Sequence, residues 1–137
     1  VVRLTKAKVI HTAGKRKRSI ARLTLCPGQG LVRINGQLLQ SFEPKLARLK
    51  IEEPLILVGD LASKVHIDVN VYGGGIMSQI DAVRQAMGKA FSELGGEKVR
   101  RMLLDYDRSL LVADTRFKEQ RKPNDSKARA ARQKSYR

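Results

Sequence analysis

Tryptophan is absent from the 137-residue chain, phenylalanine and tyrosine number three each, and cysteine occurs once, at Cys26. With aromatics at 4%, a core has to be aliphatic, and the 42% hydrophobic fraction is enough to build one. A lone cysteine excludes an internal disulfide, so nothing points to an oxidising compartment. No stretch approaches the ~20 apolar residues of a membrane span, since the run Leu55 to Val58 is far too short. The segment Val1 to Lys6 lacks the apolar run of a signal peptide, and the expectation is a soluble intracellular, cytoplasmic protein. The two histidines, His11 and His66, lie on separate strand-like segments, with no Cys/His spacing of a zinc site, so no metal or cofactor is expected. Acidic residues are scarce as well: 13 Asp and Glu stand against 28 Lys and Arg, a net charge of +15. Such a field attracts polyanions, which are nucleic acid, an acidic membrane surface or an acidic protein.

The charge is unevenly placed. Residues 1–25 hold eight cations (Arg3, Lys6, Lys8, Lys15, Arg16, Lys17, Arg18 and Arg22) and no anion. Residues 115–137 hold nine (Arg116, Lys118, Arg121, Lys122, Lys127, Arg129, Arg132, Lys134 and Arg137) against Glu119 and Asp125. Residues 26–114 balance at eleven of each sign, so the two ends carry the whole net charge. The length suits one compact domain. The expected division is a globular domain over 1–114 and an extended basic tail over 115–137. From Lys118 onward the only large side chain with an apolar body is Tyr136. That is too little to offset an ordering cost of about 1–2 kcal/mol per residue. Two readings of the tail stand: a solvated charge run, or an arm ordered by phosphates, with the alanines of 128–131 allowing close backbone approach. No lipidation signal accompanies it, and a membrane partner is not expected.

Local patterns predict a mixed fold. Lys8 to Thr12 reads as a strand, with Ala13-Gly14 opening a loop through Lys15-Arg16-Lys17-Arg18. Ile20 to Leu25 alternates, with Ala21, Leu23 and Leu25 on one face. After the turn Pro27-Gly28-Gln29-Gly30, Leu31 to Ile34 reads as the returning strand of a β-hairpin, and Asn35-Gly36 as a further tight turn. Pro44 to Val58 reads as helix in two pieces, broken at Pro54. Val65, Ile67, Val69 and Val71 mark a strand. Ile76, Ile80, Val83, Met87, Phe91 and Leu94 mark a helix with Ser78 and Asp81 spaced as a capping box. Gly95-Gly96 stops it, a second helix runs from about Glu97 to Leu104, and Ser109 to Val112 reads as a last strand. The expected class is α+β, a two-layer α/β sandwich with a mostly antiparallel sheet covered by helices.

Gly73-Gly74-Gly75 joins strand to helix, where backbone N–H groups can bind phosphate. It leads into Ile76-Met77-Ser78-Gln79, with neither the Lys-Ser/Thr of a Walker loop nor spaced dinucleotide glycines. A tight connection is one reading and a contact to an RNA phosphate the other; a small-molecule substrate is not expected. Asp105 and Asp107 could hold a metal, but alternating acids near a helix end are ordinary surface features.

The run Gly73-Gly74-Gly75-x-x-Ser78-Gln79-x-x-Ala82-x-x-x-Ala86-x-Gly88-Lys89-Ala90-Phe91 resembles the signature of the universal small-subunit ribosomal protein family S nine (sixteen in eukaryotes). Gly14-Lys15-Arg16-Lys17 with Ile20-Ala21-Arg22, and Tyr106 to Val112, resemble two further family segments. Ala128 to Arg137 resembles the archaeal and eukaryotic form of the C-terminus. The resemblance implies a fold like the second domain of ribosomal protein S five. It also implies a non-enzymatic structural role in translation, in the small-subunit head, with ribosomal RNA and neighbouring head proteins as partners. It further implies that the tail reaches the anticodon stem-loop of peptidyl-site transfer RNA, a role that falls on Lys134 and Arg137 with Tyr136 beside them. Tyr136 could stack on a base or ribose, or be amphipathic filler. The expected ribosomal RNA contacts are Lys6, Lys8, Lys15, Arg16, Lys17, Arg18, Arg22, Gly73, Gly74, Gly75, Gln79, Arg108, Arg116, Lys118, Arg121, Lys122, Lys127, Arg129 and Arg132. Pro123 to Lys127 departs from the glycine-rich stretch of many relatives, which leaves the tail's path there open. A subunit of an RNA-processing enzyme, a small enzyme using the glycine loop and a polybasic membrane-surface protein are the rival readings.

Overall fold

Alternating β-branched residues make Val65–Tyr72 a strand with one apolar face, and such a strand seeks partners on both edges. In the computed structural model, which describes residues 9–123 and 128–129, it has both. In chain order the strands are β1 (Ile10–Arg16), β2 (Ser19–Pro27), β3 (Val32–Ile34), β4 (Gln37–Leu38) and β5 (Val65–Tyr72). They form one sheet in the order β1-β2-β5-β3-β4. The helices are α1 (Lys45–Val58), the single turn α2 (Asp60–Ser63) and α3 (Ile76–Tyr106). The class is α+β as expected. The sheet is mixed, because β3 runs parallel to β5 while the other pairings are antiparallel.

That parallel pairing corrects the expected hairpin between β2 and β3: β5 lies between them. The loop after β2 is bound to the start of β5, with Gly28 N–H donating to Lys64 O (2.9 Å) and Gly30 N–H to Val65 O (3.0 Å). At the other end Asn35 acts as an extra rung, its Nδ2 donating to Val71 O (3.1 Å) and its Oδ1 accepting from Val71 N–H (2.8 Å). The Asn35-Gly36 turn is present and joins β3 to β4, with both residues at positive φ.

Ala21, Leu23, Leu25, Ile67, Val69 and Val71 face inward and meet α3 through Ile80, Val83, Met87 and Phe91. Burying each large aliphatic side chain contributes about 1.5–3 kcal/mol, so this aliphatic layer needs few aromatics. α1 runs unbroken through Pro54, against the expected break. Pro54 is buried with Ala47, Ile51 and Val58, and packing of that face outweighs the one backbone hydrogen bond lost. The Gly95-Gly96 break is present: Gly96 has φ 67° and divides α3 before it resumes to Tyr106. The capping box is not formed, because the chain turns through Gly73 and Gly74 at positive φ and Gly75 is the N-cap, leaving Ser78 inside the helix. The last expected strand is instead a 3₁₀ turn, Arg108–Leu110. Asp107 holds it by accepting from Ser109 N–H (2.8 Å) and Oγ (2.7 Å), and Leu110 is buried over Gly88.

β1 extends to Arg16, so Lys15 and Arg16 are strand residues and the expected loop shrinks to Lys17-Arg18. The reason is Gly14. A Cβ there would sit 2.0 Å from the Ala82 carbonyl oxygen, so only glycine lets β1 cross the α3 backbone and keep pairing with β2. The outer edge of β1 is occupied by α3 side chains: Lys15 N–H donates to Gln85 Oε1 (2.8 Å), and Lys89 Nζ donates to Ala13 O (2.9 Å). These contacts also blunt an edge strand that would otherwise invite pairing. Gly14→Ala is expected to destabilise the domain by about 1–3 kcal/mol in denaturant unfolding. An unchanged unfolding midpoint would show that β1 can move off α3 without cost.

Candidate nucleic-acid interface

The crossing at Gly14 brings three segments to one end of the molecule. Lys17 and Arg18 form the β1–β2 turn, with Lys17 at φ 52°. Gly73 and Gly74 pack against this turn: Cβ atoms there would meet Arg18 O at 2.5 Å and Ser19 Oγ at 2.2 Å. The Gly73 carbonyl accepts from the fully buried Ser19 through Oγ (2.8 Å) and from Gln79 Nε2 (3.1 Å). The glycine run therefore fixes the start of α3 beside the basic turn, and the first N–H groups of α3 open beside Lys17 and Arg18.

The third segment is the chain after the 3₁₀ turn. Asp114 ties it down by accepting from Arg116 at its backbone N–H (2.9 Å), Nε (3.1 Å) and Nη2 (2.8 Å), and from Arg16 Nη1. Arg16 also reaches Asp81 on α3 (3.7 Å). Hydrogen bonds from Arg116, with a further one from Arg16, hold the Asp114 carboxyl far below the usual carboxylate range. Phe117 follows, with Lys15 Nζ 5.2 Å from its ring centroid. A cleft of about 940 Å³ lies between the segments, lined by Lys17, Arg18, Gly74, Gly75, Ser78, Phe117, Lys118, Arg121, Ala128 and Arg129, with Glu119 and Gln120. Its cations outnumber its single acid, and Glu119 is itself paired to Arg129 (2.7 Å) and Lys122 (3.6 Å).

The expected contact residues thus divide. Lys15, Lys17, Arg18, Gly73, Gly74, Gly75, Gln79, Arg116, Lys118, Arg121, Lys122 and Arg129 gather at or around this end. Gln79 and Arg16 are engaged internally, and Arg16 is the more committed, bridging two carboxylates at 24% side-chain exposure. Arg22 lies on the open sheet face, 5.8 Å from the Tyr72 ring centroid. Arg108 is exposed on the 3₁₀ turn. Lys6, Lys8, Lys127, Arg132, Lys134, Tyr136 and Arg137 lie outside the described residues. Sequence reasoning missed Asp114 and Phe117 as the pieces that root the tail, since neither stands out until the fold sets them beside β1.

Behind this surface a second ion cluster locks the helices. Arg84, with 13% of its side chain exposed, meets Glu53 of α1 (2.5 Å) and Asp107 (3.4 Å), while Tyr106 Oη donates to Glu53 (2.6 Å). Burial raises the Asp107 pKa, but the Ser109 hydrogen bonds and the Arg84 charge outweigh it and hold the carboxyl below its ordinary value. Asp107 is therefore a structural cap. Among the described residues, no helix is long and apolar enough to cross a membrane.

The chain matches the family model described as ribosomal protein S9/S16 over residues 14–137. It is 49% identical over 133 residues to the small ribosomal subunit protein uS9 of Methanococcus vannielii, covering 95% of this chain and 99% of the relative. It is 49% identical, with the same coverage, to the protein of that name from Methanococcus maripaludis. The counterpart from Methanothrix thermoacetophila is 46% identical over 131 residues.

Because Asp114 is held in its charged form, the Arg16–Asp114–Arg116 latch is present above the ordinary carboxylate pKa and is lost only as pH falls through the depressed value. In a carbon-13 titration, Asp114 is expected to protonate well below the ordinary carboxylate range. Asp114→Asn should speed proteolytic cleavage after Arg116 and Lys118 with little change in melting temperature. Cleavage at the wild-type rate would show that the latch does not hold this segment.

Proposed function

The chain belongs to the ribosomal protein S9/S16 family, and from that premise we propose that it binds small-subunit ribosomal RNA through its basic end and reaches transfer RNA with its tail. As a member of a ribosomal protein family it is a structural component of the translation machinery and not an enzyme. The observation that carries the RNA reading is the convergence of the Lys17-Arg18 turn, the glycine-fixed start of α3 and the cationic segment 116–121 around one cleft. Each cation that meets a phosphate releases condensed counterions, so affinity should fall with salt by about 0.7–0.9 log units per log unit of salt for each phosphate neutralised. Backbone N–H groups at Gly75 and the first turn of α3 suit a backbone phosphate of RNA. Phosphate contacts of this kind position an RNA without reading its sequence.

The site belongs in the subunit head, with neighbouring head proteins alongside, on a fold of the type found in the second domain of ribosomal protein S five. Residues 1–114 form the globular RNA-binding unit and residues 115–137 the arm. The arm runs toward the anticodon stem-loop of peptidyl-site transfer RNA, where Lys134 and Arg137, with Tyr136, hold any stem equally through its backbone. What supports this is a basic segment with no core of its own, rooted beside the RNA-facing cleft by Asp114 and Phe117.

Two tests follow. Lys17→Ala with Arg18→Ala should impair incorporation into the small subunit, measured by cosedimentation in high salt, and should flatten the salt slope for isolated ribosomal RNA by about 1–2. Normal incorporation would reduce the turn to a solvated charge run. Arg16→Ala, by contrast, should act mainly through stability, because its guanidinium serves Asp81 and Asp114. Deleting residues 133–137, beyond the expected ribosomal RNA contacts, should leave assembly intact and weaken peptidyl-site transfer RNA binding. Unchanged transfer RNA affinity on purified subunits would end the tail assignment.

A further inference from the structure

Helices cover one face of the sheet, and the side chains of the other face are exposed or half-buried. At the end nearest the basic turn that open face carries an unusual row. Lys15, Ile20 and Tyr72 stand directly opposite one another across β1, β2 and β5. At a strand spacing of about 4.8 Å, the row spans about 10 Å. Lys15 Nζ lies over the ring of Phe117, on the segment after the 3₁₀ turn, and Arg22 reaches across to the Tyr72 ring. The next outward row is Ala13, Arg22 and Asn70, so the first acid on this face, Asp68, lies one outward row further along β5. Tyr72 is 49% exposed and Phe117 57% exposed. Tyr72 and Phe117 are thus held half in solvent, each with a cation over its ring, and Phe117 also lines the basic cleft.

We propose that Tyr72 and Phe117, flanked by Arg22 and Lys15, form a stacking platform for unpaired RNA bases on the open sheet face. Aromatic side chains interleaved with cations suit unpaired nucleotides: the ring takes a base by its π-face while the cation takes the adjoining phosphate. A duplex keeps its bases stacked inside and offers such rings nothing but backbone. Ile20, half-buried between the two ends of the row, adds apolar floor without a competing charge. Glu119, the acid closest in sequence to Phe117, is neutralised by Arg129 and Lys122. The platform rests on the reading of the chain as a ribosomal RNA-binding protein and adds to it the kind of RNA element bound and the residues that bind it.

The test uses the full chain with three fluorescent probes of equal length: oligo(A), the corresponding abasic oligomer and a duplex. Wild type should bind oligo(A) more tightly than the abasic oligomer or the duplex. Tyr72→Leu and Phe117→Leu, which keep apolar area but lose the ring, should each weaken oligo(A) binding by roughly 5- to 150-fold. Tyr72→Leu should leave abasic binding and the salt slope unchanged, and Tyr72→Phe should bind like wild type. Equal losses on the abasic probe, or a shallower salt slope, would mean that the rings merely position Lys15 and Arg22, and would overturn the platform. So would wild-type affinity in both leucine variants, with melting temperatures confirming that all variants are folded. If the platform variants behave as wild type while the chain still binds small-subunit ribosomal RNA, only this inference fails. If the chain binds no ribosomal RNA, the underlying function fails with it.

Discussion

The arrangement depends on one close crossing, in which β1 passes over α3 with nothing but Gly14 between the two backbones. That contact does more than pack the core. It lets β1 stay paired to β2 as far as Arg16, which carries the basic turn out beyond the start of α3. It also places Lys15 where its N–H meets Gln85 and its side chain meets Phe117, and Arg16 where it reaches both Asp81 and Asp114. A side chain at position 14 would separate the sheet from the helix, and the turn, the glycine run and the tail root would no longer share one end.

The cations of the N-terminal region consequently have different tasks, although they are adjacent in sequence. Arg16 neutralises two carboxylates and ties the end of β1 to α3 and to the segment after the 3₁₀ turn. Lys17 and Arg18 project from a turn whose neighbours are backbone and glycine, so their charge is available to a polyanion. Lys15 and Arg22 face the open side of the sheet, each over an aromatic ring. This partition explains how a strongly basic segment can be part of a folded domain: its inward-facing charge is paired, and the remainder sits where phosphates take the place of protein anions.

Much of this was legible in the sequence where the governing interaction is local. The alternation of Val65 to Val71 and the helical spacing of Ile76 to Leu94 specify β5 and the first part of α3, and Gly96 breaks α3 where the glycine pair suggests. The concentration of charge at the two ends needs only counting. Non-local constraints were hidden. Nothing around Pro27 to Gly30 reveals that β5 will insert between β2 and β3. Pro54 forbids a hydrogen bond but says nothing of the burial that holds α1 together. Ser109 and Leu110 follow an aspartate that caps them into a turn, and the pattern of their side chains alone imitates a strand. Asp114 and Phe117 lie about a hundred residues from Arg16 and Lys15, and Tyr72 about fifty from Arg22, so only the fold brings these pairs together.

RNA is proposed to bind at the end of the domain where the basic turn, the glycine run and the tail root meet. Lysine reactivity reads this directly, because Lys64 immediately precedes β5 at its opposite end, about 26 Å from Tyr72, and Lys98 lies beyond the Gly96 break of α3. Reductive methylation of the free protein and of assembled small subunits, followed by mass spectrometry, should show Lys15, Lys17 and Lys118 strongly protected by assembly. Lys64 and Lys98 should change less. Protection concentrated on Lys64 and Lys98, with Lys17 and Lys118 still reactive in the subunit, would place the RNA at the other end of the domain.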